Sequence, residues 1–193
     1  MTISLQNLSV VIVSFHSEDV IHHCIKSITD KIEIIVVENS GNKELANKLE
    51  NQYKNVKCVL SSENLGMGAG NNLGLKHTIT DYVFILNPDI ILEKNSIEEI
   101  IAASNKLDNF GLIAPISDNL ENPNYKVNKK NKITGVIDPF KVDSVDGFAM
   151  LLNLKKLKKL DQFKDNNFFD ENIFLYLEND DLCKRINKFE NIY

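Results

Sequence analysis

Apolar residues in this chain fall into short blocks, and the blocks alternate between two periods. Residues 8–15, LSVVIVSF, form an almost unbroken β-branched run. That pattern predicts a strand buried on both faces of a parallel sheet. Residues 19–28 follow with apolar positions at Val20, Ile21, Cys24, Ile25 and Ile28, the three-and-four spacing of an amphipathic helix, with Asp19 or Ser17 placed to cap it. The alternation continues. Strands are predicted over 32–37, 56–60, 82–86 and 111–115, and helices over 43–53, 71–78 and 96–107. The last helix has Ser96 as its cap and Glu98 and Glu99 in its first turn.

Alternating strands and helices imply a parallel α/β sheet with right-handed crossovers. In such sheets ligands bind beyond the carboxyl ends of the strands. The polar clusters SFHSED, ENSGN, ENLGMGAGNN and NPD all fall there. Residues 118–144 change character, being rich in Asn and Lys, and predict a long excursion with one hairpin. An apolar run returns at 145–154. No internal repeat or linker divides the chain, so one domain is expected over 1–193, with a ligand-binding half (1–115) and a catalytic half (116–193).

Composition narrows the classes. The 193 residues are 43% hydrophobic and 25% charged, an ordinary globular balance. The net charge of −5 gives no basic excess that would favour nucleic acid as a partner. Arg185 is the one arginine among 22 basic residues. Cys24, Cys58 and Cys183 are scattered and form neither a disulfide framework nor a zinc motif. That favours a reducing compartment. No apolar run approaches the roughly 18 residues of a membrane span, and the N-terminus does not read as a signal peptide. A soluble cytoplasmic protein is expected. The stretch LKKLKKL (154–160) is amphipathic and basic. It reads as a helix with a solvated face, or as a contact with anionic lipid on the inner face of the membrane.

Three segments could carry chemistry. The strand at 82–86 ends in Asn87-Pro88-Asp89. This is an ordinary turn sequence, and also a carboxylate at a sheet edge that suits Mg²⁺ or Mn²⁺ held jointly with a diphosphate. NLGMGAGNNLG (64–74) allows close backbone approach to a ligand ahead of a helix, but matches neither the dinucleotide fingerprint nor the P-loop. The last segment holds Asp170, Glu171, Glu178, Asp180 and Asp181, with Phe174, Leu175, Leu177 and Leu182 expected to bury the backbone around them. A carboxylate beside such a wall is a candidate general base, since partial desolvation raises its pKa. The same acids suit a helix start, and Asp181 and Arg185 are spaced to pair. The histidines show no ligand spacing, and no serine elbow is present.

The order of the segments VVIVSFHSED, IIVVENSG, ENLGMGAGNNLGL, YVFILNPDIIL, VDGFAMLLN and FFDENIFLYLENDDLCKR resembles family-two glycosyltransferases with the A-type fold, especially the rhamnosyltransferase-like branch. The resemblance implies a Rossmann-like, mostly parallel central sheet flanked by helices. It implies that Val13 and Ser14 contact the nucleobase, that Glu38 lies near base and ribose, and that Asn64, Gly66, Gly70 and Asn71 shape the nucleotide pocket. Asp89 would hold Mg²⁺ or Mn²⁺ on the diphosphate, with Asn87 at the other end of that motif. Asp146 and Gly147 would line the sugar or acceptor side. Glu178 falls in the family's base motif, which commonly reads Glu-Asp and here reads Glu178-Asn179. Glu178 is therefore the first candidate base, with Asp180 and Asp181 behind it. Family members usually continue beyond the position of Tyr193, so the acceptor half is expected to be incomplete.

The implied activity is metal-dependent, inverting transfer of a hexose, with rhamnose fitting the branch. The donor is a nucleotide-diphosphate sugar, and the acceptor is a hydroxyl of a surface polysaccharide or lipid-linked glycan. The alternative is a truncated or non-catalytic nucleotide-sugar-binding module. A nucleotidyltransferase ranks last, because the glycine-rich basic loop after the first strand is missing.

Overall fold

The computed structural model describes residues 2–117, 121–127, 139–163 and 165–193. Strand β1 (Leu8–Ser14) leads through α1 (Ile21–Ser27) to β2 (Glu33–Glu38), then through α2 (Lys43–Gln52) to β3 (Val56–Leu60). Helix α3 (Gly66–Lys76) precedes β4 (Tyr82–Leu86), and α4 (Ser96–Asn105) precedes β5 (Leu112–Ile113). The rest comprises β6 (Tyr125–Lys126), β7 (Ser144–Val145), β8 (Ala149–Asn153), α5 (Leu154–Leu157) and α6 (Glu178–Ile186).

The main sheet has the order β3-β2-β1-β4-β8-β5. β1, β2, β3 and β4 run parallel, while β8 is antiparallel to both its neighbours. The mostly parallel sheet flanked by helices is the expected architecture. Both faces are covered, and β1 explains why. Val10 and Ile12 pack on one side with Ile21, Ile25 and Leu49 of α1 and α2. Val11 packs on the other with Leu75, Leu182 and Ile186 of α3 and α6. A strand buried on both faces has no polar side to show, hence the unbroken apolar run.

Several local expectations need correction. The glycine-rich stretch is not a loop ahead of a helix; α3 already begins at Gly66. Glycine is a poor helix former, but the absence of Cβ lets α3 lie directly on β1. A Cβ at Gly74 would stand 2.5 Å from Val11 Cγ1, and one at Gly70 would stand 2.9 Å from Val13 Cγ1. Neither Ser17 nor Asp19 caps α1, whose N-cap is Val20 with no side-chain bond. Asn95, in the left-handed region, stands at the cap of α4 in place of Ser96. The region 145–154 is two strands separated by a turn. Of the expected hairpin in 118–144, β6 pairs with β7, while 118–120 and 128–138 lie outside the described residues.

In LKKLKKL only four residues form a helix, with Leu154 and Leu157 fully buried. Lys155 lies 3.5 Å from Asp81 and Lys156 lies 3.7 Å from Glu190. Asp81 directly precedes β4, so this stretch sits at the opposite end of that strand from Asp89. Among the described residues no helix is long and apolar enough to cross a membrane.

Candidate functional site

A cavity of about 710 Å³ opens beyond the carboxyl ends of β1 and β4. Its walls come from distant segments: Val13 and Phe15 after β1, Asn71 on α3, Asn87 and Asp89 after β4, Asp146 and Gly147 between β7 and β8, and Glu178 on α6. The turn after β4 is tied to the start of β8, because the Asn87 backbone N–H donates to the Phe148 carbonyl at 2.9 Å. Cys24 packs beneath that turn, with its thiol 3.6 Å from the Asn87 carbonyl. Burial, with the Asp89 charge adding to it, pushes that thiol up to about 12. Cys24 is thus an inert packing group and not a nucleophile.

Seven of the expected site residues line this cavity: Val13, Asn71, Asn87, Asp89, Asp146, Gly147 and Glu178. The others do not line it. Glu38 is fully buried and accepts from Ser40 Oγ at 2.6 Å and from the Asn42 backbone N–H at 2.5 Å. Its carboxylate holds the turn into α2. Asn64 accepts from the Gly66 N–H at 3.0 Å and from Asn39 Nδ2 at 3.0 Å. Gly66 has φ +75°, and a Cβ there would lie 2.1 Å from the Phe174 carbonyl oxygen. Gly70 buttresses Val13. Ser14 is buried just behind the cavity. Asp180 pairs with Lys126 at 2.7 Å and Asp181 with Arg185 at 2.8 Å. Neither lines the cavity, so these two reserve bases face other partners.

A family model described as glycosyl transferase family 2 matches residues 9–176. The chain belongs to glycosyltransferase family 2. It is 26% identical to the low-salt glycan biosynthesis hexosyltransferase Agl10 of Haloferax volcanii, over 97% of this chain and 64% of that protein. A mannosyltransferase from Pyrobaculum calidifontis, solved in complex with GDP-Man and Mn²⁺, superposes with TM-score 0.70 at 12% identity, covering 96% of this chain and 53% of that one. TarS 1–349 of S. aureus, solved with UDP-GlcNAc, superposes with TM-score 0.64 at 15% identity, covering 97% and 56%. The chain thus spans less than two thirds of each of these relatives.

In this family-2 domain the chemistry of the wall is one-sided. Asp89, Asp146 and Glu178 line the cavity, and no Lys or Arg does so among the described residues. Five buried side-chain oxygens lack a hydrogen-bond partner among the described residues, and four belong to expected site residues: Ser14 Oγ, Asn71 Oδ1, Asn87 Oδ1 and Glu178 Oε2. An unmade buried hydrogen bond costs about 1–3 kcal/mol, so their concentration at one place marks where a ligand's donors or a cation would go. Among the described residues no three His, Cys, Asp or Glu groups converge as a ready-made metal site. The available donors are the carboxylates of Asp89 and Asp146 and the amide oxygen of Asn87. Such hard oxygens fit Mg²⁺ or Mn²⁺, which take only a few protein ligands when substrate phosphates supply others.

Several residues at the site escaped the sequence reading. Asn39, 1% exposed, donates to Asn64 Oδ1 and to the Gly66 carbonyl and accepts from the Leu65 N–H. It fixes the start of α3. Asn72 accepts from the backbone N–H groups of Phe168 and Phe169 and donates to the Phe169 carbonyl and Glu171. The expected wall of Phe174, Leu175 and Leu177 does not bury the backbone; together with Tyr176 these side chains form an exposed lip. Tyr176 and Leu177 are consecutive residues in the left-handed region, and His16 across the cavity is a third. Such strain is costly and clusters at functional sites. Asn39 stood in a recognised polar turn, whereas nothing in the sequence separates Asn72 from Asn71.

Proposed function

We propose that this domain transfers a sugar from a nucleotide-diphosphate donor to a hydroxyl of a glycan, with inversion at the anomeric carbon. The observation that carries the reading is the cavity at the strand ends, lined by Asp89, Asn87, Asp146 and Glu178 and, among the described residues, by His16 but no Lys or Arg. Among the described residues no permanently charged cation in that wall offsets a diphosphate, and the three carboxylates there favour a donor that arrives with a cation. Asp89 would hold Mg²⁺ or Mn²⁺, with Asn87 and Asp146 as the neighbouring oxygen donors. A cation bound there supplies charge neutralisation for the leaving diphosphate.

The chain's own residues do the rest. Val13, backed by Ser14, and Asn71 border the end of the cavity nearest β1 and α3, where the base is placed. Glu178 takes the proton of the acceptor hydroxyl. That oxygen bonds to the anomeric carbon from the face opposite the diphosphate, whose bond breaks in the same step. The enzyme forms no covalent intermediate. Rhamnose is the sugar that fits the motif resemblance, and a surface or lipid-linked glycan is the acceptor class. The Haloferax relative, named for low-salt glycan biosynthesis, supports that class. The exposed lip beside Glu178 suits an acceptor with an apolar portion, handled at the cytoplasmic face of the membrane.

A melting titration with UDP, dTDP and GDP, each with and without Mn²⁺, tests the reading. At 100 times its dissociation constant a ligand adds about 2.7 kcal/mol, or roughly 5–10 °C for a domain of this size. We expect one nucleotide to give that shift only with Mn²⁺, and Asp89→Ala to abolish it and lower turnover on the order of 10²–10³-fold. A shift independent of metal, or one retained in Asp89→Ala, removes the metal role.

A further inference from the structure

Glu178 sits in the first turn of α6, a helix whose N-cap, Leu177, is left-handed and makes no side-chain cap bond. Before it lies the exposed lip, with Tyr176 also left-handed. Little at that end of the helix fixes where Glu178 points. The next residue does. Asn179 Nδ2 donates to the Val145 carbonyl at 2.7 Å, and Val145 directly precedes Asp146 and Gly147 on the facing wall. The approach is tight, since a Cβ on Gly147 would lie 3.3 Å from Asn179 Cβ.

We infer that Asn179 is a positioning residue that sets Glu178 against the Asp146–Gly147 wall by strapping α6 to the Val145 carbonyl. This rests on the reading of Glu178 as the base. Two neighbouring contacts reinforce the strap without replacing it: Asp180 pairs with Lys126 on β6, and the buried Cys183 thiol meets the Val145 backbone. The amide is required because the group it meets is an acceptor. A carboxylate at the same place would bring oxygen against oxygen and lose the donor. An isosteric exchange to an acid therefore harms the site even though it adds a potential base.

The test compares wild type, Asn179→Asp and Asn179→Ala as the full chain. The first readout is Mn²⁺-dependent hydrolysis of UDP-GlcNAc, GDP-mannose and dTDP-rhamnose. There water replaces the acceptor, its oxygen bonds to the anomeric carbon, the diphosphate leaves and Glu178 takes the proton. At neutral pH we expect Asn179→Asp to lower kcat about 10-fold or more, with the donor KM within about 3-fold.

The pH profile separates positioning from mere damage. The introduced carboxyl would face the Val145 carbonyl and the acids Glu178, Asp180 and Asp146, opposed by Lys126 and next to the Cys183 thiol. Its charged form is disfavoured, and once protonated it can donate as the amide does. The ratio of Asn179→Asp to wild-type kcat should therefore rise as pH falls towards about 5, while the ratio for Asn179→Ala stays flat. Melting temperatures of the same pair should show the same contrast without any substrate. An Asn179→Asp chain as active as wild type, or more so, at neutral pH overturns the inference. So does a melting deficit with no loss of kcat, since the bond would then position nothing. A wild-type chain that neither binds nor hydrolyses any probe overturns the reading of the site and the positioning role with it; the melting pair still reports whether the bond is made.

Discussion

The two walls of the cavity are built on opposite principles. The wall of strand ends is dense and locally satisfied. Glu38, Asn39 and Asn64 spend their polar atoms on one another and on the turns beside them, leaving Ser14, Asn71 and Asn87 with open oxygens. The opposite wall runs from Phe174 to Asn179: residues 174–177 are exposed, apolar and partly left-handed, and Glu178 and Asn179 follow half-buried. It is attached at few points: the Met67 N–H donates to the Phe174 carbonyl at 3.0 Å, and Asn179 donates to Val145. In the proposed reading the first wall binds the nucleotide. The second carries the proposed base on a segment that a few hydrogen bonds hold in place.

That contrast predicts a separation of binding from turnover, and its sharpest form is at Glu178. Glu178→Gln keeps the shape but cannot take a proton. Turnover should fall roughly 10²–10⁴-fold, while the nucleotide-induced melting shift, which depends on the other wall, stays near its wild-type size. Turnover within a few-fold of wild type would move the base elsewhere and dissolve the distinction.

The adjacent asparagines of α3 divide in the same way and give the next largest effect. Asn72 ties Phe168, Phe169 and Glu171 to the helix, so Asn72→Ala leaves several backbone groups unmatched. About 2–4 kcal/mol of stability should go, a drop of roughly 4–16 °C in Tm. Asn71 has an open, buried oxygen, so Asn71→Ala should leave Tm within a few degrees of wild type and weaken nucleotide binding. Equal melting losses in the two variants would show that Asn71 is structural as well.

These pairs mark what could be read in the sequence. Buried parallel strands announce themselves, because a strand covered on both faces must be apolar throughout; β1, β2 and β4 fall within a residue of their expected bounds. The place of Asp89 at the cavity was legible because the turn that follows a buried strand carries it. The start of α3 was not, because glycine disfavours helix locally and the compensating fit against Val11 and Val13 is a tertiary fact. The lip was misread because an apolar side chain looks the same in sequence whether it is buried or held out beside a cavity. The roles of Asn71 and Asn72, or of Glu178 and Asp180, depend on which way each residue faces on its helix and what lies opposite, information carried by other segments of the chain.

The smallest effect is expected at Asp180, which belongs to the second wall by sequence but is committed to Lys126. Burial pushes its carboxyl up, but hydrogen bonds from Lys126 and Ser144 and the Lys126 charge outweigh this, so it titrates below the ordinary carboxylate range. A folded-state pKa that is depressed means stability present above the unfolded value and lost as pH falls through the folded one. The pair is partly solvent-screened, so it contributes only about 0.5–1 kcal/mol. The Tm of Asp180→Asn should therefore trail wild type by roughly 1–4 °C at neutral pH. The gap should close below about pH 4, while turnover changes less than twofold. A large loss of turnover in this variant, with Tm unchanged, would transfer the base role from Glu178 to Asp180 and make the Lys126 pair part of the machinery instead of part of its frame.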